Sequence, residues 1–280
     1  MSKGGCDIRI GTSGWHYEDW SGRFYPADLP KNKWFEYYSK HFDTVEVNNT
    51  FYHLPKEKTF ENWRKQAPKN FLFTVKASRY ITHIKRLNEP QEPLEWFFGR
   101  ADLLQEHLGP VLYQLPPSFH KDLARLKDFL QALQDVILNA AQRSEESISP
   151  RPHSSPSAGR LKRPAKRNKD LTKTVFEFRH ESWFSQDTYD LIKEFNAAFC
   201  IHDLVGIPTP RVITSDMIYI RFHGPTGKYA GNYSKSALQS WAKWIKDNLK
   251  EKKAVYAYFN NDYNAYAIKN AKTLKEQITN

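Results

Sequence analysis

The sequence predicts an α/β fold of the TIM type, a (β/α)8 barrel that forms a single domain over residues 1–280. Three observations predict it. Eight short apolar runs alternate with segments of helical spacing along the chain. Without the polar segment 140–173, which is 34 of the 280 residues, 246 residues remain, close to the roughly 250 of one such barrel. Polar side chains recur where nearly every predicted strand ends, and those ends form the mouth of a barrel.

The predicted strands and helices alternate from the N-terminus onward. Strands are expected at 8–12, 44–48, 71–76, 111–115, 174–178, 198–202, 217–222 and 254–259. Helices are expected at 34–41, 60–67, 94–108, 123–137, 189–195, 238–249 and 267–278, with Gly109 ending the third. Such alternation implies a parallel sheet, either closed or open. The closed barrel is favoured because the polar groups are not confined to one glycine-rich first turn. Gly11-Thr-Ser-Gly14 lacks the G-x-G-x-x-G spacing, so we expect neither nicotinamide nor flavin.

The segment 140–173 is rich in Ser, Pro, Lys and Arg and nearly free of large apolar residues, so we expect a disordered basic insertion within the domain. Nine of its residues are Lys or Arg and three are acidic, so it carries six of the eleven excess positive charges. One interpretation is a solvated surface loop. The other is a basic arm for nucleic acid, or a nuclear targeting signal at "KRPAKRNK".

Composition limits the remaining classes of protein. The net charge of +11 and pI near 9.4 favour an acidic partner such as phosphate or nucleic acid. Two distant cysteines, Cys6 and Cys200, do not have the spacing of a disulfide framework or zinc ribbon. No apolar run approaches the roughly 20 residues of a membrane span. We therefore expect a cytoplasmic protein in a reducing compartment, without a membrane partner, and its oligomeric state is not predicted.

Carboxylates and imidazoles at the strand ends are the candidate catalytic groups. Histidine titrates near neutral pH, and a neighbouring carboxylate orients its ring, so such pairs suit general acid-base catalysis. The other interpretation is structural: the carboxylates and nearby arginines form ion pairs that fill the barrel interior, and the aspartate caps a turn. The candidates are Glu46, Glu177, His180, His202, Asp203 and His223.

Cationic, amide and other polar side chains near the same ends are the candidate substrate-binding groups. Arginine suits bidentate contacts with phosphate, and the loops after the seventh and eighth strands often bind phosphate in barrel enzymes. Glycines after the seventh strand let the backbone approach a ligand. We therefore expect a small anionic ligand. The candidates are Asn48, Lys76, Gln114, Arg179, Arg221, Lys228, Tyr229, Asn260 and Asp262.

Several blocks of sequence resemble the signatures of the YecE-like family, catalogued as domain of unknown function 72. They are "GTSGW" (11–15), "FYP" (24–26), "TVEVNNTFY" (44–52), "GPVLYQLPPSF" (109–119), "FEFRHESWF" (176–184), "YIRFHG" (219–224) and "YFNND" (258–262). The resemblance covers nearly the whole chain. It implies a TIM-barrel-like fold and a family without an established activity. The insertion departs from the pattern and is expected at the barrel face opposite the mouth.

The leading functional hypothesis is an enzyme that uses general acid-base chemistry, with hydrolysis of a phosphate-bearing or sugar-like substrate favoured. A divalent metal held by His and carboxylate ligands is a further option, although no HxH or HExxH spacing points to one. Nucleophilic catalysis by Ser13 or Cys200 is disfavoured, because a serine after the first strand serves a tight turn and a thiol in an apolar strand is inert.

A second hypothesis is a non-catalytic nucleic-acid-binding protein. Aromatic residues after the first strand would stack on bases and the basic insertion would contact phosphates. The other interpretation of these aromatic residues is a rim that packs over the barrel. A barrel that has lost catalysis is a third option. The aromatic residues concerned are Trp15, His16, Tyr17 and Trp20.

Overall fold

Eight parallel strands and the helices between them form the barrel in the computed structural model. It describes residues 6–148, 171, 173–207, 209–227, 229–249, 252 and 254–279. The strands are β1 Asp7–Thr12, β2 Thr44–Val47, β3 Leu72–Lys76, β4 Leu108–Gln114, β5 Thr174–Glu177, β6 Ala198–His202, β7 Met217–Phe222 and β8 Ala254–Phe259. The helices are α1 Trp34–Tyr38, α2 Asn49–Tyr52, α3 Glu57–Gln66, α4 Gln91–Ala101, α5 Leu123–Ile148, α6 Gln186–Glu194, α7 Lys235–Asn248 and α8 Tyr266–Thr279. The predicted barrel is confirmed.

The strands pair in the order β1-β8-β7-β6-β5-β4-β3-β2, and every pair is parallel. The two ends of this order meet just beyond β1. Ser13 forms a parallel bridge with Glu46, and the Gly14 amide donates to the Glu46 carbonyl at 2.8 Å. This contact nearly closes the sheet into a barrel, so the carboxyl ends of all eight strands surround one mouth.

Side chains alternate between the two faces of each strand. On β7, Ile218, Ile220 and Phe222 belong to the large core between strands and helices. Met217 and Tyr219 instead belong to a small cluster inside the barrel, together with Leu112, Val175, Ala198, Cys200, Tyr256 and Tyr258. The interior is therefore filled by layers, apolar and tyrosine side chains below and charged groups above them toward the mouth. Burial inside this cluster raises the pKa of the Cys200 thiol, which disfavours the thiolate.

Most predicted boundaries differ from the structure by no more than about one turn of helix, and two differ by more. Leu108 and Gly109 were assigned to the end of a helix, but they begin β4, and a short 3-10 helix, Asp102–His107, precedes them. A Cβ on Gly109 would lie 3.0 Å from the Phe73 carbonyl oxygen, so this glycine serves the close approach of two strands. Helix α5 continues to Ile148, past the predicted start of the insertion at 140, because Ala, Gln, Arg and Glu in that stretch favour helix. Residues 149–170 lie outside the described part of the chain.

Several short elements had no signal strong enough to be predicted. They are α2, a π-type turn at Tyr80–Ile84 and the 3-10 helices at Glu18–Trp20, Lys31–Lys33, Glu181–Trp183 and Tyr263–Ala265. Each is too short to show a hydrophobic period. All of them lie on connections that follow a strand, on the side of the barrel where the mouth opens. None of the helices in the described ranges is long and apolar enough to cross a membrane.

Gly11 permits the contact that closes the barrel. A Cβ there would lie 2.4 Å from the Thr44 carbonyl oxygen of β2, closer than real side chains approach. We expect Gly11→Ala to lower the free energy of unfolding by about 1–3 kcal/mol through this overpacking. Gly99→Ala, in α4 with nothing within 4 Å, should be neutral or stabilising. Urea unfolding of both variants checks this, and equal effects would contradict the account of closure.

Candidate active site

Arg221 of β7 lies at the centre of the barrel between two carboxylates. Its Nη2 and Nε atoms donate to Oε1 of Glu46 at 2.7 and 3.1 Å, and its Nη1 donates to Oε2 of Glu177 at 2.6 Å. Glu46 comes from β2 and Glu177 from β5, so one guanidinium connects three strands. All three side chains are fully or almost fully buried. The ends of these three strands therefore converge inside the barrel.

The remaining oxygens of both carboxylates are also engaged. Ser13 and Tyr219 donate to Glu46, to Oε1 and Oε2 respectively, each at 2.6 Å. Arg179 donates from Nε to Oε1 of Glu177. Burial alone would raise the pKa of Glu177, but Arg179 and Arg221 lower it well below its usual range. Two glutamates and two arginines thus form a neutral buried network, as the structural interpretation of these ion pairs proposed.

This network changes the expected role of Arg221. All three of its side-chain nitrogens donate to groups of the protein, which occupies four of its five N–H groups, and the side chain is almost fully buried, so Arg221 is poorly placed to bind a substrate phosphate. Arg179 is different, because its Nη1 has no acceptor among the described residues. A substrate-binding role therefore fits Arg179, while Arg221 holds the interior together.

His223, just after β7, is a neutral histidine with one free nitrogen. Nη2 of Arg179 lies 2.9 Å and Nη1 of Arg221 lies 3.3 Å from its Nε2. Guanidinium groups only donate hydrogen bonds, so Nε2 is the acceptor and Nδ1 carries the proton. Burial and the two arginines hold the pKa of His223 well below its usual range, despite the opposing charge of Glu177. Nδ1 is buried without a partner among the described residues.

His202 and Asp203 at the end of β6 do not form the expected acid-base pair. His202 donates from Nε2 to the Phe178 carbonyl at 3.1 Å, and Thr209 lies 3.1 Å from its Nδ1. Burial lowers the pKa of His202 to about 4, so it does not titrate near neutrality as predicted. Asp203 accepts from the His223 backbone amide at 2.7 Å and from the Tyr233 hydroxyl. It therefore anchors the loop after β7 instead of orienting a histidine ring.

His180 lies apart from the central network. It caps the 3-10 helix Glu181–Trp183 by accepting from the Ser182 amide, and its ring stacks on His120 at 3.8 Å. These two rings come from the loops after β5 and β4. His180 therefore lies at the rim of the mouth. Its hydrogen bond to the Ser182 amide gives it a structural role as the cap of this short helix.

Lys76, the last residue of β3, is a buried lysine without a carboxylate partner among the described residues. Nζ donates to Oε1 of Gln114 at 2.8 Å and lies 4.1 Å from the centre of the Phe51 ring. Burial and the charge of Arg221 lower the pKa of Lys76 to about 7, and Glu177 and Glu46 oppose that shift only in part. At neutral pH the amine is therefore partly unprotonated, which sequence alone did not indicate.

Asp262, just after β8, is a carboxyl group that titrates near neutrality. Its Oδ1 is buried and has no partner among the described residues. Burial raises the pKa of Asp262 to about 7, although a hydrogen bond with Tyr17 and the charge of Arg221 lower it. Asp262 was predicted only to bind substrate. Its burial gives it the pKa of an acid-base group instead, and Tyr17 is a contact that the sequence did not reveal.

The other predicted binding residues are spread around the same mouth. Asn48 is half-buried, and its Oδ1 has no partner among the described residues. Gln114 contacts Lys76, Asn260 is half-buried after β8, and Tyr229 lies beside His223 with ring centres 5.7 Å apart. Lys228 lies outside the described residues, so its predicted role stays a prediction.

Exposed tyrosines line the rim, and of these only Tyr229 was among the predicted binding residues. Tyr52 follows β2, Tyr80 follows β3, Tyr229 follows β7 and Tyr263 follows β8, with exposed fractions of 73, 41, 40 and 65%. A single exposed ring is ordinary, but here four tyrosines follow the ends of four strands and so lie on the same side of the barrel. The signal was present as tyrosine soon after four strand ends, but tyrosine is common in this chain and most of it is buried.

The aromatic residues after β1 are packed instead of forming a free stacking surface. Trp20 is fully buried and donates from Nε1 to the Asp262 carbonyl at 2.9 Å. Trp15 packs edge-on against Phe35 and Trp63, with ring centres 5.4 and 5.8 Å apart. Only His16 is exposed. This arrangement matches the alternative interpretation of a rim packed on the barrel.

A cavity of about 340 Å³ opens beside the end of β6. None of the four side chains of the charged network lines it. The Arg211 guanidinium covers its Trp241 ring at 3.9 Å. Among the described residues, no group of three His, Cys, Asp or Glu side chains is arranged to bind a metal ion. The cavity is lined by His202, Asp203, Leu204, Gly206, Ile207, Thr209, Arg211 and Trp241.

Comparison with known proteins gives a family and a fold. A family model described as "Protein of unknown function DUF72" matches residues 9–280. The chain is 26% identical to UPF0759 protein YunF of Bacillus subtilis over 97% of its own length and 94% of YunF. It is 32% identical to UPF0759 protein YecE of Escherichia coli K12 over 45% of its own length and 44% of YecE. The crystal structure of a DUF72 family protein from Thermotoga maritima superimposes with a TM-score of 0.77 at 26% identity, covering 98% of this chain and all of that one.

The buried network predicts a large and specific cost when one charge is removed. Glu46→Gln leaves Arg221 with an incompletely compensated buried charge, so we expect the free energy of unfolding to fall by about 3–5 kcal/mol. Glu36→Gln is the matched control, because Glu36 pairs with Lys33 and Lys40 in solvent and should matter little. Chemical denaturation at pH 7 measures both. Similar effects at the two sites would contradict a structural role for the network.

Proposed function

Because this chain belongs to the DUF72 family, whose description assigns no function, we propose from the barrel mouth that it is an enzyme of general acid-base chemistry acting on a small sugar-like substrate. The single observation that carries this proposal is Asp262, a carboxyl group at the mouth whose buried Oδ1 lacks a partner and whose pKa is about 7. A group that titrates at the working pH transfers protons most effectively in both directions.

The charge balance of the mouth favours a sugar-like substrate over a phosphate. Glu46 and Glu177 neutralise Arg221 and Arg179, so the network presents little net positive charge. Lys76 is only partly charged at neutral pH. A phosphate dianion would then have few uncompensated cations to bind. A phosphate-bearing substrate remains compatible with Arg179 and with the unassigned Lys228.

The rim supports the same substrate class. Four exposed tyrosines, Tyr52, Tyr80, Tyr229 and Tyr263, stand around the opening, and flat aromatic rings with a polar edge suit a ligand with apolar C–H faces and hydroxyl groups. Asn48 and the Nδ1–H of His223 offer an acceptor and a donor for those hydroxyls. The Asn48 Oδ1 and His223 Nδ1 atoms are both buried without a partner among the described residues. A substrate hydroxyl that bonds to them would remove the free-energy cost of leaving a buried polar atom without a hydrogen bond.

The proposed chemistry differs from a two-carboxylate glycoside hydrolysis. That mechanism requires two carboxyl groups that can exchange protons or attack the sugar. All four carboxylate oxygens of Glu46 and Glu177 accept hydrogen bonds inside the network. Asp262 is then the acid-base carboxyl group, Lys76 is the second titrating group, and His223 donates as a neutral imidazole. With these roles the site would transfer protons to and from a sugar-like substrate, and hydrolysis is one reaction that such transfers catalyse.

The test of this proposal is Asp262→Asn against a panel of sugars, sugar phosphates and glycosides. With an active compound in hand, the variant should lose about 10²–10⁴-fold in kcat, because the amide cannot transfer the proton. The pH profile of the wild type should show a limb near pH 7 that the variant lacks. Asp247→Asn, on the exposed face of α7, is the matched control and should retain full activity. Unchanged turnover in Asp262→Asn would contradict the proposal.

The nucleic-acid alternative depends on the basic insertion. Its excess of six positive charges favours contact with a phosphate backbone. The packed aromatic residues Trp15 and Trp20 do not support base stacking on the barrel rim. This proposal is therefore restricted to backbone contacts made by the insertion, separate from the mouth.

Replacement of 149–170 by an uncharged Gly/Ser linker of equal length tests that alternative. The natural segment carries seven Lys or Arg residues. If they grip phosphates, the wild type should bind single-stranded or duplex DNA with an affinity that falls steeply with salt, and the linker variant should lose that binding. Equal affinity of both proteins at low salt would contradict it. Turnover by the mouth should be unaffected.

A further inference from the structure

Lys76 has the surroundings of a nucleophilic amine. We infer that Lys76 attacks the carbonyl carbon of an aldehyde or ketone substrate, such as an open-chain sugar, and holds it as an imine. This inference deepens the proposed function, because it assigns the reactive form of the sugar-like substrate. It depends on the position of Lys76 at the C-terminal end of β3, where the mouth receives its ligand.

The hydrogen bonds around Nζ leave its lone pair available. The Gln114 amide donates from Nε2 to the Leu115 carbonyl at 3.1 Å, which fixes its Oε1 toward Lys76. Nζ is therefore the donor in the contact with Gln114. As an ammonium it would have two further N–H groups, of which one faces the Phe51 ring and the other has no acceptor among the described residues. As a neutral amine it satisfies Gln114 and keeps a lone pair for the substrate.

The charges facing Lys76 come from several elements and oppose one another, so burial, the largest cause, decides in favour of the neutral amine. Arg221 of β7 and Arg179 beyond β5 repel the ammonium, while Glu177 and Glu46 attract it from β5 and β2. The carboxylates are already shared with the two guanidinium groups. The other titratable neighbour is His83, in the turn after β3, and its pKa is lowered to about 4, so it is neutral. The Phe51 ring of α2 covers Nζ and excludes water from one side.

The proposed step balances without any cofactor. The Nζ lone pair forms a bond to the carbonyl carbon, and the carbonyl π electrons move to its oxygen, which takes up a proton. Nitrogen releases one proton, the hydroxyl leaves as water after a second protonation, and the nitrogen lone pair forms the C=N bond. Loss of the second N–H proton then leaves the neutral imine, so the two protons taken up by oxygen are returned. Water is the only product released. An acid at the mouth supplies the protons for these transfers, and the proposed function assigns that role to the protonated form of Asp262.

A charge clamp is the competing role for Lys76. A lysine that binds an anion acts as an ammonium and never forms a covalent bond. An amine with a pKa near 7 is about half unprotonated at pH 7, whereas an ordinary lysine is unprotonated in about one molecule in 3,000. The two roles therefore predict different reactivity at neutral pH: a nucleophilic Lys76 reacts with a carbonyl compound, and a charge clamp does not.

Trapping with borohydride tests the inference on the wild-type protein. Glyceraldehyde, dihydroxyacetone and pyruvate are each incubated with the protein at pH 7, followed by borohydride, which adds hydride to an imine carbon. Peptide mass spectrometry should find Lys76 carrying the mass of the carbonyl compound less one oxygen atom. Lys243, far more exposed on α7, is the internal control. We expect at least tenfold more adduct on Lys76 than on Lys243. More adduct on Lys243, or none on Lys76 with any probe, would overturn the inference.

A second measurement needs no substrate and no loss of folding. Reductive methylation with ¹³C-formaldehyde labels the lysines, and an NMR titration reads the pKa of each labelled amine. Lys76→Arg identifies the Lys76 signal by its disappearance. A titration near pH 7 supports the nucleophile, and one near pH 10 identifies a charge clamp and overturns it.

The two proposals fail in different ways. If no adduct forms on Lys76 while turnover still depends on Asp262, the imine is wrong and the acid-base function stands. If the adduct forms on Lys76 while Asp262→Asn retains full turnover, the imine stands and the acid-base assignment of Asp262 is wrong.

Discussion

The Arg221 guanidinium, held between Glu46 and Glu177 inside the barrel, is the interaction on which the rest of the site depends. A buried charge of this kind is tolerated only when every partner is in place, because desolvation costs several kcal/mol for each unpaired ion. The network therefore fixes β2, β5 and β7 relative to one another. The contact of Ser13 with Glu46, at the point where β1 meets β2, extends the same constraint to the closure of the barrel.

This central network decides which groups of the mouth can titrate. Two guanidinium groups donate to the Nε2 atom of His223, and burial together with their charge keeps that ring neutral. Burial first, and the charge of these guanidinium groups second, lower the pKa of Lys76 to about 7 against the opposing charges of Glu177 and Glu46. For Asp262, the hydrogen bond with Tyr17 and the charge of Arg221 offset burial only in part, so burial favours the neutral carboxyl group. A basic group and an acidic group thus reach similar pKa values by opposite shifts from the same cause, the loss of water. That combination is typical of catalytic sites.

The barrel could be predicted from the sequence because its signals are local. Each strand is an apolar run, and the alternation of Tyr219, Arg221 and His223 with Ile220 and Phe222 fixes which side chains face the interior. The convergence of Glu46, Glu177 and Arg221 follows from the topology. The fact that every carboxylate oxygen is hydrogen-bonded does not follow from it, since that depends on distances between strands whose contacting residues lie 44 and 175 positions apart in the sequence. The pKa values of Lys76 and His202 could not be predicted for the same reason: burial is a property of the whole fold. The short elements at the mouth and the rim tyrosines lacked a periodic pattern to reveal them.

The most direct test of the central claim is a titration of the side-chain carboxyl groups by ¹³C NMR between pH 3 and pH 9. The account predicts that the Asp262 carboxyl titrates near pH 7, while Glu177 remains ionised to the acid end of the range because Arg179 and Arg221 hold its charge. A titration of Asp262 near pH 4, or of Glu177 near its ordinary value, would contradict the claim that a neutral buried network sets the chemistry of the mouth.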